Sequence, residues 1–299
     1  MWLLACAAPA EDSGRTYPLD DVLRVNHVQV EGTHNSYHVA ATDEGDLAYT
    51  HAPLDVQLDE QGVRQFEIDV QYDPDAGELL VYHIPVVDMG TTCETLAACL
   101  AVLRGWSDEH PDHPPLFVLI EPKTPHSADL EQGMFTLLEE EVRAAWPDRV
   151  LTPDDLRGEH PDLATAIAAD GWPTLGATRG HLLLSLLDRG GWRDAWTYGG
   201  TTLEGRVMFG NVEPGSPLAA FILLDDPATD PIAETVDAGV IVRTRADTDL
   251  AYDAARFELA VASGAHALST DVPVELEIPD LCNPRTAPPE CTSDAVERR

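Results

Sequence analysis

The chain has 299 residues, of which 44% are hydrophobic and 24% charged, a composition typical of a globular protein with a substantial core. Its 53 acidic and 18 basic residues give a net charge of -35, which argues against nucleic acid or anionic membrane as partners through bulk electrostatics. Because no segment approaches the ~18 consecutive apolar residues of a transmembrane helix, no membrane span is expected.

The N-terminal stretch MWLLACAAPAEDSG contains a short apolar run that ends at Cys6. This run is similar to the end of a bacterial lipoprotein signal, in which the cysteine becomes lipidated, but it lacks the positively charged leading region. We therefore expect an exported protein, anchored through Cys6 or secreted, with a natural start upstream and residues 1–20 as signal remnant and tether. A chance apolar start is the alternative.

The remaining four cysteines form two local pairs, Cys93 with Cys99 and Cys282 with Cys291. In an oxidising compartment, such pairs are expected to be disulfides. A zinc site is less favoured, because neither pair has CxxC spacing or nearby histidines in register. Free buried thiols are the third interpretation.

Beyond residue 20, the pattern alternates between strands and helices. Strands are predicted at Val25–Val30, Phe66–Val70, Leu79–His83, Leu116–Glu121, His181–Leu187, Val207–Phe209, Ala220–Leu224, Gly239–Arg243 and Ala265–Ser269. Helices are predicted over residues 93–110, 128–146, 152–158, 160–172, 230–239 and 252–264. Two of the helices have aspartates as expected N-terminal caps, Asp154 and Asp162.

About eight strands separated by helices, with no linker-like break, predict one α/β domain over residues 21–280, a (β/α)8 barrel of the TIM type. A doubly wound open sheet is the alternative, but no GxGxxG motif follows an early strand. The Cys- and Pro-rich tail, residues 281–299, is expected to be an extended flap held by its disulfide.

Polar residues lie just after the first predicted strand and within the second. His34 and Asn35 lie in the stretch VEGTHNSYH (residues 30–38), which taken alone is typical of a glycine turn whose Asn and Ser bond their own backbone. In the second strand, FEIDV, Glu67 and Asp69 are two residues apart and therefore share a face. The opposite face is apolar and is expected to meet the helices, so that both carboxylates point inward.

Two later predicted strands also end in polar residues, His83 in VYH and Glu121 in LIEPK. Singly, these residues fit a core histidine and a helix-entry residue, and Glu67 with Asp69 fits a solvated edge strand. Together, three carboxylates and an amide at the strand ends of a barrel form a hard, all-oxygen set typical of Ca²⁺ or Mg²⁺ sites. Without a cation or a partner, such inward carboxylates would be costly.

Basic residues lie near the same strand ends. Lys123, the only lysine in the chain, follows Glu121 by two residues and shares its inward face. Arg243 and Arg245 share one face of a late strand. An arginine pair suits phosphate geometry, although salt bridges with the abundant acids are an equally favoured interpretation.

The order HN, ExD, H and a strand-terminal E resembles the catalytic domain of phosphoinositide-specific phospholipases C, above all the bacterial calcium-dependent phosphatidylinositol-specific family. The segments that carry the resemblance cover most of residues 20–285, and the resemblance is more specific in the first half than in the second. They are LRVNHVQVEGTHNSYHV, QLDEQGVRQFEIDV, DGWPTLGATRGHLL, VIVRTRAD and GAHALSTD. The resemblance implies a distorted TIM barrel in which the inositol 2-hydroxyl attacks its own phosphodiester, releasing diacylglycerol and an inositol cyclic phosphate.

The resemblance also implies roles for individual residues. His34 would stabilise the phosphorane or act as general acid, and His83 would be the partner acid or transition-state stabiliser. The implied Ca²⁺ ligands, with Mg²⁺ less favoured, are Asn35, Glu67, Asp69 and Glu121. Either Glu67 or Glu121 would take the hydroxyl proton. Lys123 would meet a phosphate or an inositol hydroxyl, and Asp271 would bond the inositol ring or orient a histidine.

Two other functions fit parts of this pattern. A glycerophosphodiester phosphodiesterase on the same scaffold would also use two histidines and an ExD metal site, and a catalytically silent lipoprotein would bind sugar phosphates. The favoured interpretation is a monomeric phospholipase acting on phosphatidylinositol or a related phosphodiester, reaching a membrane only through that substrate or the lipid on Cys6. The other histidines receive no role, and His38 is interpreted as a surface or packing residue.

Overall fold

The computed structural model describes residues 17–42, 44–248, 250–273 and 277–298. Cys6 and the predicted lipoprotein signal lie outside these residues, so that hypothesis stays a prediction. No helix in the described ranges combines the length and apolarity needed to cross a bilayer.

Within the described residues, nine strands form one sheet. The strands are β1 (Val30–Thr33), β2 (Gln65–Asp73), β3 (Glu78–Leu80), β4 (Leu116–Pro122), β5 (Leu182–Leu186), β6 (Phe209–Gly210), β7 (Phe221–Leu223), β8 (Ile241–Arg245) and β9 (Ala267–Thr270). Eight of them follow the order β6-β5-β4-β2-β1-β9-β8-β7 with parallel pairing, and β3 pairs antiparallel with β2. Strands such as β4 and β5 are almost entirely apolar because both of their faces are buried.

Helices pack outside the sheet and connect its strands. They are α1 (Leu54–Asp59), α2 (Leu96–Glu109), α3 (Ala128–Ala145), α4 (Pro153–Arg157), α5 (Leu163–Asp170), α6 (Leu175–Thr178), α7 (Gly191–Trp196), α8 (Ile232–Asp237), α9 (Ala254–Ser263) and α10 (Ser293–Val296). A single 3-10 turn spans Val25–His27. Five of these helices, α2, α3, α5, α8 and α9, cover the predicted helical segments and confirm them, as does the short α4.

The sheet is an almost closed barrel, because its two ends, β6 and β7, lie side by side. Side chains bridge this seam: Asn211 Oδ1 accepts a hydrogen bond from the Leu223 N–H (3.0 Å), and Ser185 Oγ donates to the Phe221 carbonyl (2.9 Å). The predicted distorted TIM-type barrel is therefore confirmed. The distortion lies between β6 and β7, where hydrogen bonds from side chains take the place of backbone pairing between strands.

The first strand is displaced from its prediction. Residues 25–27 form the 3-10 turn, and β1 begins only at Val30, so Gly32 lies inside the strand instead of forming a turn. A Cβ on Gly32 would lie 2.1 Å from Gln65 Oε1. Glycine is therefore required here by the close approach of the Gln65 side chain from β2, and not by a change of chain direction.

The prediction that Leu79–His83 is a barrel strand is wrong. The Gly77 N–H donates to the Asp73 carbonyl (2.8 Å) in a tight turn, and a tight turn can join only antiparallel neighbours. The short strand β3 therefore folds back along β2, and His83 lies beyond its end. Strands β8 and β9 each begin two residues later than predicted, so that β8 includes Arg245 as well as Arg243.

One predicted helix cap is right and one is wrong. Asp162 accepts a hydrogen bond from the Thr165 N–H (2.7 Å) and caps α5. Helix α4 is capped by Thr152, because threonine stands directly before the first helical residue, and Asp154 pairs with Arg157 instead (3.0 Å).

Both cysteine pairs are disulfide-bonded, Cys93 with Cys99 and Cys282 with Cys291. The C-terminal tail is not a loose flap. It contains α10, whose Val296 is fully buried, and Glu297 forms an ion pair with buried Arg64 (2.7 Å). The sequence concealed this packing because the apolar residues of the tail are few and widely spaced.

Candidate active site

The C-terminal ends of the barrel strands surround a cleft of about 480 Å³. Its lining residues are His34, Glu67, Glu121, Leu187, Asp188, Arg189, Asn211, Asp225, Arg243, Arg245, Thr248 and Arg256. A larger cavity, of about 1070 Å³, includes Gly62, Arg64 and His113, which precede β2 and β4. It therefore lies at the N-terminal end of the strands, where barrel residues typically support stability, so the smaller cleft is the candidate active site.

Three carboxylates form a cluster at this cleft. Glu67 and Asp69 are buried side chains on one face of β2, and the register of the sheet places Glu121 of β4 directly beside Asp69. One oxygen atom from each of the three residues can be chosen so that all lie within 4.8 Å of one another. This is about twice the ~2.4 Å length of a Ca²⁺–oxygen bond, so one ion fits between them.

Among the described residues, Lys123 is the cation that pairs with Asp69 and Glu121, whereas Glu67 pairs with Arg243. The Lys123 Nζ lies 2.8 Å from Glu121 Oε1 and 3.2 Å from Asp69 Oδ2. Burial would lower the pKa of Lys123, but the two carboxylates outweigh it and raise that pKa. Burial and the repulsion between carboxylates in turn raise the pKa of Asp69 and of Glu121 in spite of the lysine. Asp69 and Glu121 thus have too little positive charge nearby.

Asn35 contributes a neutral oxygen donor. It is buried, with a φ of 46°, a left-handed conformation that asparagine tolerates better than most residues. Its Nδ2 donates to the Tyr49 hydroxyl (2.8 Å), whereas its buried Oδ1 has no hydrogen-bond partner among the described residues. The Ser36 N–H donates to the Glu67 carbonyl (2.9 Å), which fixes this turn against β2.

The donor set fits a hard divalent cation. In addition to the orphaned Asn35 oxygen, neither Asp69 oxygen accepts a well-formed hydrogen bond from the described residues, although Lys123 and the buried Tyr37 hydroxyl lie close by. Unpaired buried oxygens are costly, and a cation that takes 6–8 oxygen ligands would satisfy them. The predicted ligands Asn35, Glu67, Asp69 and Glu121 are therefore chemically suited to Ca²⁺.

His34 is held by a carboxylate on its far side. Its Nδ1 lies 2.7 Å from Asp271 Oδ1, which leaves Nε2 facing the cluster, 3.6 Å from Glu67 Oε1. Its backbone N–H donates to the Thr270 carbonyl (3.0 Å), so β1 and β9 together fix its position. The histidine ring is therefore oriented with one nitrogen available to the cleft.

Asp271 is itself tightly held. Arg245 Nη2 lies 2.6 Å from Asp271 Oδ2, and the Asp271 N–H donates to Asp247 Oδ1 (3.1 Å). Burial would raise the pKa of Asp271, but the hydrogen bond to His34 and the charges of His34 and Arg245 lower it below its usual value. The group is therefore a stable carboxylate that orients His34.

Arg243 and Arg245 are both ion-paired with acids in the cleft. The fully buried Arg243 contacts Glu67 Oε2 through Nη2 and Asp225 Oδ1 through Nη1 (2.5 Å), and Arg245 binds Asp271. Of the two interpretations from sequence, the salt bridges are what the structure contains. Both side chains nevertheless line the cleft and place fixed positive charge there.

His83 lies to one side of the cleft. Its Nδ1 is 3.0 Å from Asp88 Oδ2, and Gln71, which follows Asp69 by two residues on β2, donates to its carbonyl (3.3 Å). Burial lowers the pKa of His83, and the charge of Lys123 lowers it further, while Asp88 only partly opposes them. His83 is therefore close to the cluster but does not line the cleft with His34.

His38 is not a surface residue. It is wholly buried, with Nε2 at 2.8 Å from Asp88 Oδ2 and Nδ1 at 2.8 Å from the Tyr49 carbonyl. Asp88 therefore bonds two histidines at once, and His38 supports the position of His83. Of the two alternatives for His38, a surface or a packing residue, the structure contains the second, because His38 is buried.

Sequence reasoning missed several carboxylates of the site. Asp225 follows the predicted strand Ala220–Leu224 directly, so the strand-end rule that selected Glu121 could have found it. Asp88 and Asp247 lie in loops without periodicity, where only tertiary structure brings them to His83 and Asp271.

A sequence model of one protein family matches nearly the whole barrel. It is described as phosphoinositide phospholipase C, Ca²⁺-dependent, and it matches residues 23–80 and 78–280. The chain belongs to this calcium-dependent phospholipase C family. The ordered set of His34, Asn35, Glu67, Asp69 and Glu121 lies inside the matched residues, and its chemistry agrees with calcium dependence.

Solved structures of bacterial enzymes share the fold of this phospholipase C family member. The Ca²⁺-dependent phosphatidylinositol-specific phospholipase C of Streptomyces antibioticus is 18% identical, with a TM-score of 0.64 over 85% of this chain and 97% of its own. The calcium-dependent phosphoinositol-specific enzyme of a Pseudomonas species is 17% identical, with a TM-score of 0.67 over 88% and 95%.

A rival family is also structurally similar, but less so. A putative glycerophosphoryl diester phosphodiesterase from Silicibacter pomeroyi is 12% identical, with a TM-score of 0.50 over 85% of this chain and 94% of its own. No curated protein matches the chain. Family membership therefore rests on the family model, and the solved structures support the fold.

Proposed function

We propose that this protein cleaves phosphatidylinositol, in a Ca²⁺-dependent reaction, into diacylglycerol and an inositol cyclic phosphate. The observation that carries the proposal is the placement of His34 Nε2 3.6 Å from Glu67, inside a cluster of three carboxylates that suits a divalent cation. A sugar-phosphate-binding protein without activity would have no need for a histidine oriented by a buried carboxylate beside that cluster.

The reaction needs one proton acceptor and one proton donor. The inositol 2-hydroxyl oxygen forms a bond to phosphorus, the bond from phosphorus to the diacylglycerol oxygen breaks, and the leaving oxygen receives a proton. His34 has the free Nε2 needed to exchange a proton with a reacting oxygen, because Asp271 holds Nδ1. Glu67 and Glu121 are the carboxylates that could take the proton of the hydroxyl.

Four residues would hold the cation: Asn35, Glu67, Asp69 and Glu121. When bound there, Ca²⁺ lowers the pKa of the 2-hydroxyl and offsets the charge that develops on the phosphoryl oxygens. The carboxylate of Asp69 is the most deeply buried of the three acidic groups and contributes charge with little competition from other hydrogen bonds.

Positive side chains would recognise the phosphate. Arg243 and Arg245 are held in place by Glu67, Asp225 and Asp271, so their charges are fixed before substrate arrives. Lys123 would contribute once a cation replaces it among the carboxylates. His83, with its lowered pKa, would serve near the leaving oxygen or the phosphoryl group, because its imidazolium is a stronger acid than an ordinary one.

Product analysis tests this proposal and its rival. The protein is incubated with phosphatidylinositol and separately with glycerophosphoinositol, each with Ca²⁺ and with a chelator. Diacylglycerol and inositol 1,2-cyclic phosphate that appear only with Ca²⁺ support the proposal. Release of glycerol phosphate without cleavage of the lipid would identify a glycerophosphodiesterase, and no turnover of either substrate would leave only a binding function.

We also propose that the protein is exported and anchored through a lipid on Cys6, or secreted. Both disulfides support an oxidising compartment, since such bonds are rare in reducing cytosol. Labelling with a radioactive fatty acid, compared between the wild type and Cys6→Ser, would identify the anchor.

A further inference from the structure

Tyr49 is the side chain that holds the amide group of Asn35. Asn35 is 1% exposed, so both ends of this amide are shielded from water. Asn35 Nδ2 donates to the Tyr49 hydroxyl oxygen (2.8 Å), whereas Oδ1 has no hydrogen-bond partner among the described residues. The phenol therefore binds the end of the amide that cannot ligate a cation, and the end that can ligate one is left free.

The direction of this amide matters to the cation site. An amide side chain has a donating and an accepting end, and a half-turn about its last carbon–carbon bond exchanges them. If the Asn35 side chain were turned in this way, Nδ2 would replace Oδ1 at the site. There it would donate to the carboxylates of Glu67, Asp69 or Glu121, and it would repel an ion. A contact that holds Nδ2 elsewhere therefore keeps the oxygen available to the cation.

Tyr49 is itself fixed by two histidines of the same region. Its ring stacks on the buried His38 with centroids 4.1 Å apart, and it packs edge-to-face against His51 at 5.4 Å. His38 Nδ1 donates to the Tyr49 carbonyl (2.8 Å), and the His51 N–H donates to the His38 carbonyl (3.0 Å). His51 Nε2 in turn donates to the carbonyl of His34 (2.8 Å). The phenol therefore has a defined position against the turn that carries both His34 and Asn35.

Nearby acids decide which way the Tyr49 hydroxyl is used. Burial raises the pKa of this phenol, and the charges of Asp271, Asp69 and Glu67 raise it further in spite of the hydrogen bond from the amide, so the group keeps its proton. The same negative charges attract that proton to their own side of the oxygen, and the lone pairs are left to accept from Asn35. An amide turned the other way would set Oδ1 against those lone pairs, acceptor against acceptor. The hydroxyl therefore holds Nδ2 and excludes Oδ1.

We propose that Tyr49 is a positioning residue of the cation site: its hydroxyl oxygen accepts from Asn35 Nδ2 and thereby keeps Asn35 Oδ1 directed at the ion. This inference rests on the proposed function, in which Asn35 is one of the residues that hold Ca²⁺. The ligand is set before the ion arrives, so binding does not have to break a hydrogen bond between the amide and a carboxylate. Tyr49 acts through Asn35 and is not itself a ligand.

The test uses Tyr49→Phe in the full chain, which keeps the packed ring and removes only the hydroxyl. The same change is made in an Asn35→Asp background, where both ends of the side chain are oxygen atoms and its direction no longer matters; aspartate also tolerates the left-handed backbone at this position. Tyr198→Phe is the matched control, because Tyr198 is 55% exposed between α7 and β6 and does not line the cleft. Calorimetric titration with Ca²⁺ measures the affinity, and thermal unfolding in a chelator verifies that each variant folds.

Tyr49→Phe should weaken Ca²⁺ binding by about tenfold, because the amide then turns Nδ2 toward the carboxylates, and the ion must reverse this turn and leave a buried donor unpaired. In the Asn35→Asp background, the same change should alter Ca²⁺ affinity by less than about twofold, and Tyr198→Phe should not alter it. Equal losses in both backgrounds would assign the hydroxyl a purely structural role and overturn the proposal. Unchanged Ca²⁺ affinity in Tyr49→Phe would overturn it as well.

Ca²⁺ binding is measured without substrate, so the inference and the proposed function can fail separately. If Tyr49→Phe loses affinity only where Asn35 is present but wild type cleaves no inositol lipid, the positioning role stands and the proposed reaction falls. If wild type cleaves the lipid with Ca²⁺ and Tyr49→Phe binds the ion normally, the reaction stands and the positioning role falls.

Discussion

The two halves of the active site contain similar numbers of acids but differ in their cations. On β2 and β4, Asp69 and Glu121 share the single ammonium group of Lys123. On β8 and β9, Asp271 is matched by Arg245 and by the hydrogen bond with His34. The pKa of Asp69 is raised and that of Asp271 is lowered, although both are buried aspartates.

This difference separates two uses of buried carboxylates. Burial alone raises the pKa of an aspartate, and a nearby cation or a hydrogen bond reverses that shift. The half around Asp271 is already compensated, so it can hold His34 rigidly without further help. The half around Asp69 is not compensated, so a divalent cation can bind there with a large gain in stability. The following changes break one half while leaving the other intact.

The largest effect is expected for Asp69→Asn. Removing this charge and one oxygen donor should weaken Ca²⁺ binding by at least about 100-fold, since even residues that only support metal ligands contribute about 10- to 100-fold. Turnover at a fixed Ca²⁺ concentration should fall with it. Calorimetric Ca²⁺ titration and a product assay measure the two quantities, with Asp271→Asn as a control that removes an acid from the compensated half. Undiminished Ca²⁺ affinity in Asp69→Asn would rule out this cluster as the cation site.

Asp271→Asn should separate orientation from cation binding. We expect turnover to fall about 10- to 1000-fold, because His34 loses the carboxylate that fixes its tautomer and ring, whereas Ca²⁺ affinity stays within about twofold. His34→Ala should lose most turnover and also keep its Ca²⁺ affinity. In a His34→Ala background, adding Asp271→Asn should change turnover no further. Independent, additive losses would mean that Asp271 acts on the substrate and not through His34.

Lys123→Met should act in the opposite direction on the cation. Removing the ammonium leaves Asp69 and Glu121 without their closest positive charge, so Ca²⁺ affinity should rise by about tenfold. The Ca²⁺-free protein should unfold at a lower temperature, and added Ca²⁺ should raise that temperature more than in wild type. Lys123→Arg, which keeps the charge, is the control. A fall in Ca²⁺ affinity in Lys123→Met would show that Lys123 organises the ligands instead of competing with the ion.

The smallest effect concerns stability in acid. His266 is fully buried, with Nδ1 accepting from the Val242 N–H and Nε2 next to the Asn26 carbonyl, and burial lowers its pKa to about 3. Its folded pKa lies below the unfolded value of ~6.5, so the unfolded chain binds the extra proton and stability falls as pH decreases below 6.5. At pH 5 the loss attributable to this residue is about 2 kcal/mol.

Urea unfolding at pH 7.5 and pH 5 measures that loss. His266→Gln should be less stable at pH 7.5 but should show a smaller further loss on acidification than wild type. His110→Gln, at a half-exposed histidine, is the control for the loss of one imidazole. An unaltered pH dependence in His266→Gln would mean that other buried groups, such as His113 with its pKa lowered to about 4, account for the acid sensitivity.

Elements with a strong hydrophobic pattern were predictable from the sequence, whereas features that depend on contacts between distant residues were not. The apolar strands β4 and β5 and the helices α2 and α3 lie where the sequence indicates, because their periodicity reports burial directly. The first strand was displaced because Gly32 is required by the side chain of Gln65, 33 positions along the chain, and not by a turn. The sequence left open whether His38 is a surface or a packing residue, because its partner Asp88 lies 50 positions along the chain.

The sequence by itself determined the chemical identity of the site. The alternation in FEIDV put two carboxylates on one face, and the strand-end positions of His34, Asn35 and Glu121 followed from a barrel, because these depend on local spacing alone. Only the tertiary structure decided which charges are compensated, since ion pairs such as Arg243 with Glu67 join residues 176 positions apart. It likewise decided that Asp88 lies between His38 and His83, because this contact depends on the packing of distant segments.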